Sequence, residues 1–346
     1  MKKSIAVIFG GCSSEYSISL LSAFSVLESL DYRKYNVIPV GITQQGDWYR
    51  YNGEYSKIPE NTWMQDREKL VPVAVSNSRS IHGLIEMRNM GNSVVHLDLA
   101  FPVLHGKNGE DGTVQGLFEL AGVPVVGCGT LASALCMDKD RAHKLAQAAG
   151  VAVPKAVTVR HSSACDLFCV VKDLVLPVFV KPVKAGSSFG ITKVFCLDRL
   201  AEAVELAFRY DDTVIIEESV EGFEVGCAVL GIDDLTVGRV DEIELKQGFF
   251  DYTEKYTLET AQIHMPARIG AQQEKRIQET AKLIFRTLGC AGFARVDMFL
   301  RPDGQIVFNE VNTIPGFTTH SRYPNMLKGI GIDFANMLGK ILALYE

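Results

Sequence analysis

The chain lacks any apolar run approaching the ~18 residues of a membrane-spanning helix, so no membrane span is expected. It also lacks a basic excess. A net charge of −6 at pH 7 argues against a general nucleic-acid or membrane-surface binder, and any cation that meets a phosphate must be placed locally. Lys139, Lys181 and Lys255 are the candidates. The apolar run at Met1–Gly10 is too short for a signal peptide and leads into a strand-to-loop sequence, Gly10-Gly11-Cys12-Ser13-Ser14-Glu15, with no cleavage site. Without an export signal, the eight scattered cysteines read as free thiols in a reducing cytoplasm. Cys165 and Cys169 are close in sequence, but no second Cys or His pair completes a zinc set, so both read as structural. Internal repeats and low-complexity linkers are missing, as is a Gly-x-Ser-x-Gly elbow for serine nucleophile chemistry.

What is present is the pattern of an α/β protein. Its 346 residues suffice for two to three domains. Residues 4–9 read as a buried strand, Ser17–Leu30 as a helix and Asn36–Ile42 as a second strand, a β-α-β start that points to a parallel sheet. Val94–Phe101 reads as a further strand and Val114–Ala121 as a short helix. A single helix is expected from about Leu131 through Gly150. Beyond it, Pro177–Pro182 and Thr192–Cys196 read as antiparallel strands, Asp198–Phe208 as a helix and Val214–Glu217 as a buried strand. Gln272–Leu288 is the one long helix. Three small α/β units result, with the clefts between them as the default site.

The densest chemistry lies between Arg295 and Ser321. Phe293–Leu300 and Gln305–Val311 read as strands joined by an Asp303-Gly304 turn. Asp297 and Glu310 then sit on paired strands, with Asn312 two residues on and facing the same side. Two carboxylates and an amide carbonyl form an all-oxygen set suited to Mg²⁺. The alternative is a solvated hairpin with scattered charges. Gly186-Ser187-Ser188-Phe189-Gly190, five residues after Lys181, offers backbone N–H groups, hydroxyls and a nearby ammonium to a phosphate. It is neither a Walker loop nor a dinucleotide fingerprint, and a ligand-free hairpin is its alternative. Gly10–Glu15 opens a helix, where Glu15 can hold an ammonium group or be ordinary helix-start charge. His105 begins a glycine-rich loop at a strand end, where α/β sites usually form. The other histidines considered (His82, His96, His143, His161 and His264) read as structural. Gly248–Tyr256 is aromatic and charged without a period, and reads as a loop that closes over a site.

Together these motifs resemble the D-alanine–D-alanine ligase family of the ATP-grasp superfamily across nearly the whole chain. The resemblance rests on Phe9-Gly10-Gly11…Glu15, His105-Gly106…Gly109–Gly116, Met137-Asp138-Lys139, Val180-Lys181-Pro182…Gly186-Ser187-Ser188, Glu254-Lys255-Tyr256, Arg295-Val296-Asp297, and Asn309–Thr313…Pro315-Gly316. It implies an ATP-grasp fold with an N-terminal parallel α/β domain over 1–128, a central subdomain over 129–222 and a C-terminal subdomain over 223–346. It further implies a cytoplasmic homodimeric enzyme using ATP and two Mg²⁺, with Mn²⁺ able to substitute. ATP would phosphorylate a first D-alanine, and the amine of a second substrate would displace the phosphate. Carried over by motif, Lys139, Lys181 and Lys255 meet ATP phosphates, with Ser187 and Ser188 in the phosphate loop. Glu217 and Val220 form the adenine hinge and Glu224 contacts ribose. Next to that hinge, Glu218 stands where some relatives carry a residue that stacks. Asp297, Glu310 and Asn312 bind metal, while Arg295 and the Gly316 N–H hold the oxyanion. Glu15, Ser187 and Tyr256 form a set around the first D-alanine, near His105, and Ser321 binds the second substrate's carboxylate.

Lys255-Tyr256 resembles relatives that use an amine acceptor rather than D-lactate, while Arg322-Tyr323-Pro324 is similar to the vancomycin-resistance type. The combination points to D-serine as second substrate, with Arg322 beside it, and a housekeeping D-alanine–D-alanine ligase as the alternative. A non-catalytic nucleotide sensor would require the loss of Lys181, Arg295, Asp297, Glu310 or Asn312, and all five are present. No nucleic-acid or membrane partner is expected.

Overall fold

The computed structural model describes residues 2–89, 91–162, 166–186, 189–245 and 261–346. Strand β1 (Lys3–Gly10) is flanked by β2 (Tyr35–Ile42) and β7 (Leu99–Pro102), both parallel to it. Covered on both faces, β1 can afford its unbroken apolar run, and Ile5 through Phe9 are fully buried. The sheet then extends beyond β2 through antiparallel strands β3 (Trp48–Tyr51), β4 (Leu70–Val75) and β5 (Gly83–Glu86), which the sequence left unassigned, and through β6 (Ser93–His96). The single strand expected at Val94–Phe101 is therefore two. The chain leaves β6 at Leu97-Asp98, where Asp98 accepts the Ser4 N–H at 2.7 Å and re-aims the backbone onto β1.

Helix α1 (Tyr16–Ser29) turns Leu20, Ala23, Val26 and Leu27 into the core, leaving Leu21 as its exposed large apolar side chain. On the other face of the sheet lies α2 (Thr113–Ala121), whose Val114 and Phe118 join the core beneath β1 and β2. The helix expected from Leu131 to Gly150 is interrupted. Helix α3 (Thr130–Met137) ends at Asp138, whose side chain accepts the Arg141 N–H at 2.9 Å and caps α4 (Lys139–Ala148).

A second, antiparallel sheet has the order β10-β9-β11-β8, formed by β8 (Ala156–Arg160), β9 (Val178–Pro182), β10 (Thr192–Val194) and β11 (Thr213–Glu218). Helices α5 (Leu167–Val171) and α6 (Leu200–Phe208) pack on it. A third sheet, also antiparallel, runs β14-β13-β12-β15-β16: β12 (Phe223–Gly231), β13 (Thr236–Leu245), β14 (Ala261–His264), β15 (Gly292–Leu300) and β16 (Ile306–Asn312). Helix α7 (Ala271–Thr287) covers one face through Ile277, Ala281, Ile284 and Phe285. Helices α8 (Arg322–Lys328) and α9 (Phe334–Ala343), absent from the sequence reading, join the first and third sheets into a shared core. Among the described residues no helix is long and apolar enough to cross a membrane.

Candidate active site

The carboxyl ends of β1 and β7 open one wall of the site, as expected for parallel strands. Gly10 adopts φ +88°, and a Cβ there would lie 2.1 Å from the Ile42 carbonyl oxygen, so only glycine lets the turn press against β2. The Gly10 N–H donates to Ser19 Oγ, and that hydroxyl donates to the Val103 carbonyl, tying the ends of β1 and β7 to α1. Glu15 is thereby held, buried, at the start of α1. A Cβ on Gly106 would sit 2.4 Å from Glu15 Oε2 and one on Gly186 3.1 Å away, so both glycines make room for this carboxylate.

His105 follows β7. Its Nδ1 lies 2.9 Å from the Ile314 carbonyl, which can only accept, so Nδ1 carries the proton. Nε2 then accepts from Ser22 Oγ at 3.0 Å, and burial pushes the imidazole pKa below its usual value, keeping the ring neutral. Five residues on, Glu110 sits half-buried between two loops. Its Oε2 accepts the Gly106 N–H at 2.8 Å and its Oε1 the Ile314 N–H at 3.0 Å. Burial, followed by the neighbouring Glu15, pushes its pKa up to about 8.

The facing wall is the β15–β16 hairpin. Its register places Asp297 opposite Glu310, the pairing expected of these strands, and Arg295 opposite Asn312. Arg295 grips Asp297 with two nitrogens at 2.7–2.8 Å, and Asn312 Nδ2 adds a bond to Asp297 Oδ2 at 2.8 Å. Arg322, at the start of α8, bonds Asp241 through Nε at 2.7 Å and Nη2 at 2.8 Å, and bonds Glu224 through Nη1 at 3.0 Å. It also comes within 3.5 Å of Asp297. Burial opposes charge on both arginines, but Asp297 and Asp241 hold them protonated.

Between the walls is a cavity of about 350 Å³. Of the residues expected from sequence, Glu15, His105, Lys139, Arg295, Glu310, Asn312, Gly316, Ser321 and Arg322 line it. Gly316 packs so closely on Ser321 that a Cβ would lie 2.7 Å from the Ser321 hydroxyl. That hydroxyl accepts the Thr318 N–H at 3.1 Å and fixes the turn. Lys139 donates to the Ala185 carbonyl at 2.8 Å and lies 3.9 Å from Glu310.

Other expected residues lie outside this lining. Asp297 is behind it, under Arg295. Lys181 on β9 and Glu217 on β11 form a buried ion pair, next to the 219–222 connection that carries Val220. Glu218 accepts the Val175 N–H at 3.0 Å. Glu224, read from sequence as a ribose contact, pairs with Arg322. Ser187, Ser188, Lys255 and Tyr256, with the 248–256 loop and Cys165, lie outside the described residues.

The sequence reading missed Asp241, which is fully buried inside β13, and gave no role to Glu110 or Ser22. Asp241 had a visible signal, an acid within an otherwise strand-like segment. Arg322 was singled out in the sequence, but its pairing with Asp241 across 81 residues had no signal there.

The donor chemistry suits a hard divalent cation. Asp297 and Glu310 face each other across the hairpin, Asn312 is adjacent, and Glu310 and Asn312 border the cavity. Asp297 Oδ1 carries one close hydrogen bond, from Arg295, which leaves it capacity for a further ligand.

A family model described as D-ala D-ala ligase N-terminus matches residues 4–128, and one described as D-ala D-ala ligase C-terminus matches residues 145–343. The chain is 44% identical to the vancomycin B-type resistance protein VanB of Enterococcus faecalis, over 99% of this chain and 98% of that protein. It is 40% identical to a D-alanine–D-alanine ligase of Caldicellulosiruptor bescii, over 99% of this chain and 95% of that one. The crystal structure of VanG D-Ala:D-Ser ligase from Enterococcus faecalis superposes with a TM-score of 0.93 at 60% identity, covering 100% of both chains. A buried acid at a strand-to-helix turn faces an Arg-Asp-Glu-Asn hairpin across one cavity in a chain matched by both models, and the protein therefore belongs to the D-alanine–D-alanine ligase family of ATP-dependent, ATP-grasp ligases.

Proposed function

We propose that this ligase joins D-alanine to D-serine, using ATP, to make a peptidoglycan precursor that confers vancomycin resistance. The carboxylate of D-alanine attacks the γ-phosphorus of ATP, giving an acylphosphate and ADP. The amine of D-serine then adds to the acyl carbon, and the tetrahedral intermediate expels phosphate. Such chemistry needs little covalent help, and catalysis consists of holding the reactants and neutralising charge. Glu15 holds the ammonium of D-alanine, with Ser187 and Tyr256 completing the set and neutral His105 fixing the wall beside it. Arg295 and the Gly316 N–H stabilise the oxyanion. Lys139, Lys181 and Lys255 meet phosphate oxygens, with Ser188 in the same loop; Glu217 and Val220 meet adenine and Glu224 ribose. Asp297, Glu310 and Asn312 would hold Mg²⁺, which when bound neutralises the phosphate charge. Ser321 receives the carboxylate of the second substrate.

The observation that carries the D-serine reading is the Arg322–Asp241 pair behind Ser321. Arg322, held by Asp241, lines the cavity next to Ser321 and gives that wall a buried polar group for a serine hydroxyl to meet. A site built to pair a hydroxyl discriminates strongly against a substrate that lacks it. The similarity to the VanG D-Ala:D-Ser ligase structure supports the same choice. A homodimer is part of this proposal, and light scattering of the purified protein tests it. A housekeeping D-alanine–D-alanine ligase is the second reading, favoured by the Caldicellulosiruptor relative. Purified protein with ATP, Mg²⁺ and D-alanine, with D-serine or D-lactate added in parallel, separates the two by product mass. D-alanyl-D-serine in excess is expected, and D-alanyl-D-alanine as the dominant product in the presence of D-serine would establish the second reading.

A further inference from the structure

Helix α4 begins at Lys139, beside Glu310, and one turn later presents His143 on the same face. The sequence reading treated this histidine as an inert structural group. It is buried, its ring meets Phe308 edge-on at 5.5 Å and 74°, and its Nε2 lies 2.7 Å from the Asn309 carbonyl. That carbonyl can only accept, so Nε2 carries the proton. Nδ1 is buried without a partner among the described residues.

Asn309 is a special position. Asp297 faces Glu310, yet the next residue, Met298, faces Phe308, so Asn309 is the extra residue of a β-bulge. A bulge re-aims the side chains around it. The strand resumes its ladder at Glu310, and the direction of the Glu310 carboxylate depends on how the bulge is held. A neutral ring donor does this without placing another charge among Lys139, Lys181 and Glu217, the charged groups closest to it.

We propose that His143 is a positioning residue: it locks the Asn309 bulge to α4, fixing the Glu310 carboxylate opposite Asp297 and beside Lys139, and so sets the affinity for the divalent cation that accompanies the nucleotide. This inference rests on the reading of Glu310 as a cation ligand. Groups that orient metal ligands typically change affinity by about 10–100-fold when removed.

The test uses the full chain with ADP and Mn²⁺, reading free Mn²⁺ by electron paramagnetic resonance, with a melting curve of each variant without nucleotide. His143→Phe keeps the packing on Phe308 but loses the donor. His143→Gln places an amide N–H near Nε2, and His143→Asn is too short to reach. About tenfold or greater weakening of Mn²⁺ binding is expected for H143F and H143N. Recovery to within about threefold is expected for H143Q, with KM for D-alanine unchanged throughout. Mn²⁺ binding by H143F or H143N equal to that of the wild type overturns the role of His143 and leaves Glu310 as a ligand. Equal weakening in H143Q and H143N overturns it as well. A wild type that binds ADP but takes up no Mn²⁺ overturns the cation reading itself, and this inference with it. Should H143F fail to fold, the contrast between H143Q and H143N decides.

Discussion

Asp297 does two jobs that mutation cannot separate. It is a proposed cation ligand, and it is also the counter-charge for Arg295 and, at 3.5 Å, for Arg322, all three largely buried. Removing one partner from a buried ion network typically costs about 3–5 kcal/mol, because charges are left uncompensated. Asp297→Asn should therefore lose both turnover and stability. Glu310 is the cleaner probe, since its side chain keeps 23% of its surface exposed. Glu310→Gln is expected to lower turnover by at least ~10²-fold while moving the melting temperature by only a few degrees. A coupled ADP assay with a thermal melt checks both, and unchanged turnover would take Glu310 out of the chemistry. The pairing of these two acids was legible in outline because alternating segments flank the Asp303-Gly304 turn, while the exact register also depends on the bulge at Asn309. The Arg322–Glu224 pair was not legible, for it joins positions 98 residues apart through the packing of α8 on β12.

At the scale of elements, boundaries were readable where local chemistry set them and hidden where tertiary contact did. The hairpin β15–β16 and the β1-α1-β2 start follow from periodicity and turn residues. The break between α3 and α4 was local too, but helical periodicity runs through it, and Asp138 as a cap was overlooked. The loop from Thr313 to Ser321 has no regular pattern, and its order comes from Phe317. That ring is fully buried, T-shaped on Phe293 at 5.0 Å and on Phe101 at 5.9 Å, and stacked on Tyr323 at 5.9 Å. Its backbone N–H reaches Ser22 Oγ, the same hydroxyl that meets His105. An aromatic side chain from a loop thus anchors Gly316 and Ser321 to both the first and third sheets. Phe317→Ala should cost about 3–5 kcal/mol in urea unfolding. It should also lower kcat/KM for the second substrate more than for ATP. A loss of stability with substrate kinetics intact would mean the loop is positioned by other contacts.

Across the whole molecule, one carboxylate bonds both walls of the cleft. Glu110 receives N–H bonds from Gly106 in the first unit and from Ile314 in the last, and no sequence pattern announces a contact between positions 204 residues apart. Burial and the nearby Glu15 raise its pKa from an ordinary 4.5 to about 8. Folded protein therefore keeps a proton between those values that the unfolded chain has released. By linkage, Glu110 makes stability fall as pH rises across that window. His105 works in the opposite sense. Its pKa is lowered, so its contribution is complete above the unfolded value of 6.5 and is lost as pH falls below it. The two groups oppose one another below about pH 6.5, and from there to pH 8 the Glu110 effect stands alone. Glu110→Gln cannot ionise, although its amide nitrogen cannot accept the second N–H, so the variant starts less stable. Its unfolding free energy should nevertheless be flatter than the wild type's between pH 6.5 and 8, and the two curves should converge at the upper end. Parallel curves across that interval would mean that Glu110 is already ionised in the folded protein, and that the two loops are held by a charged bridge.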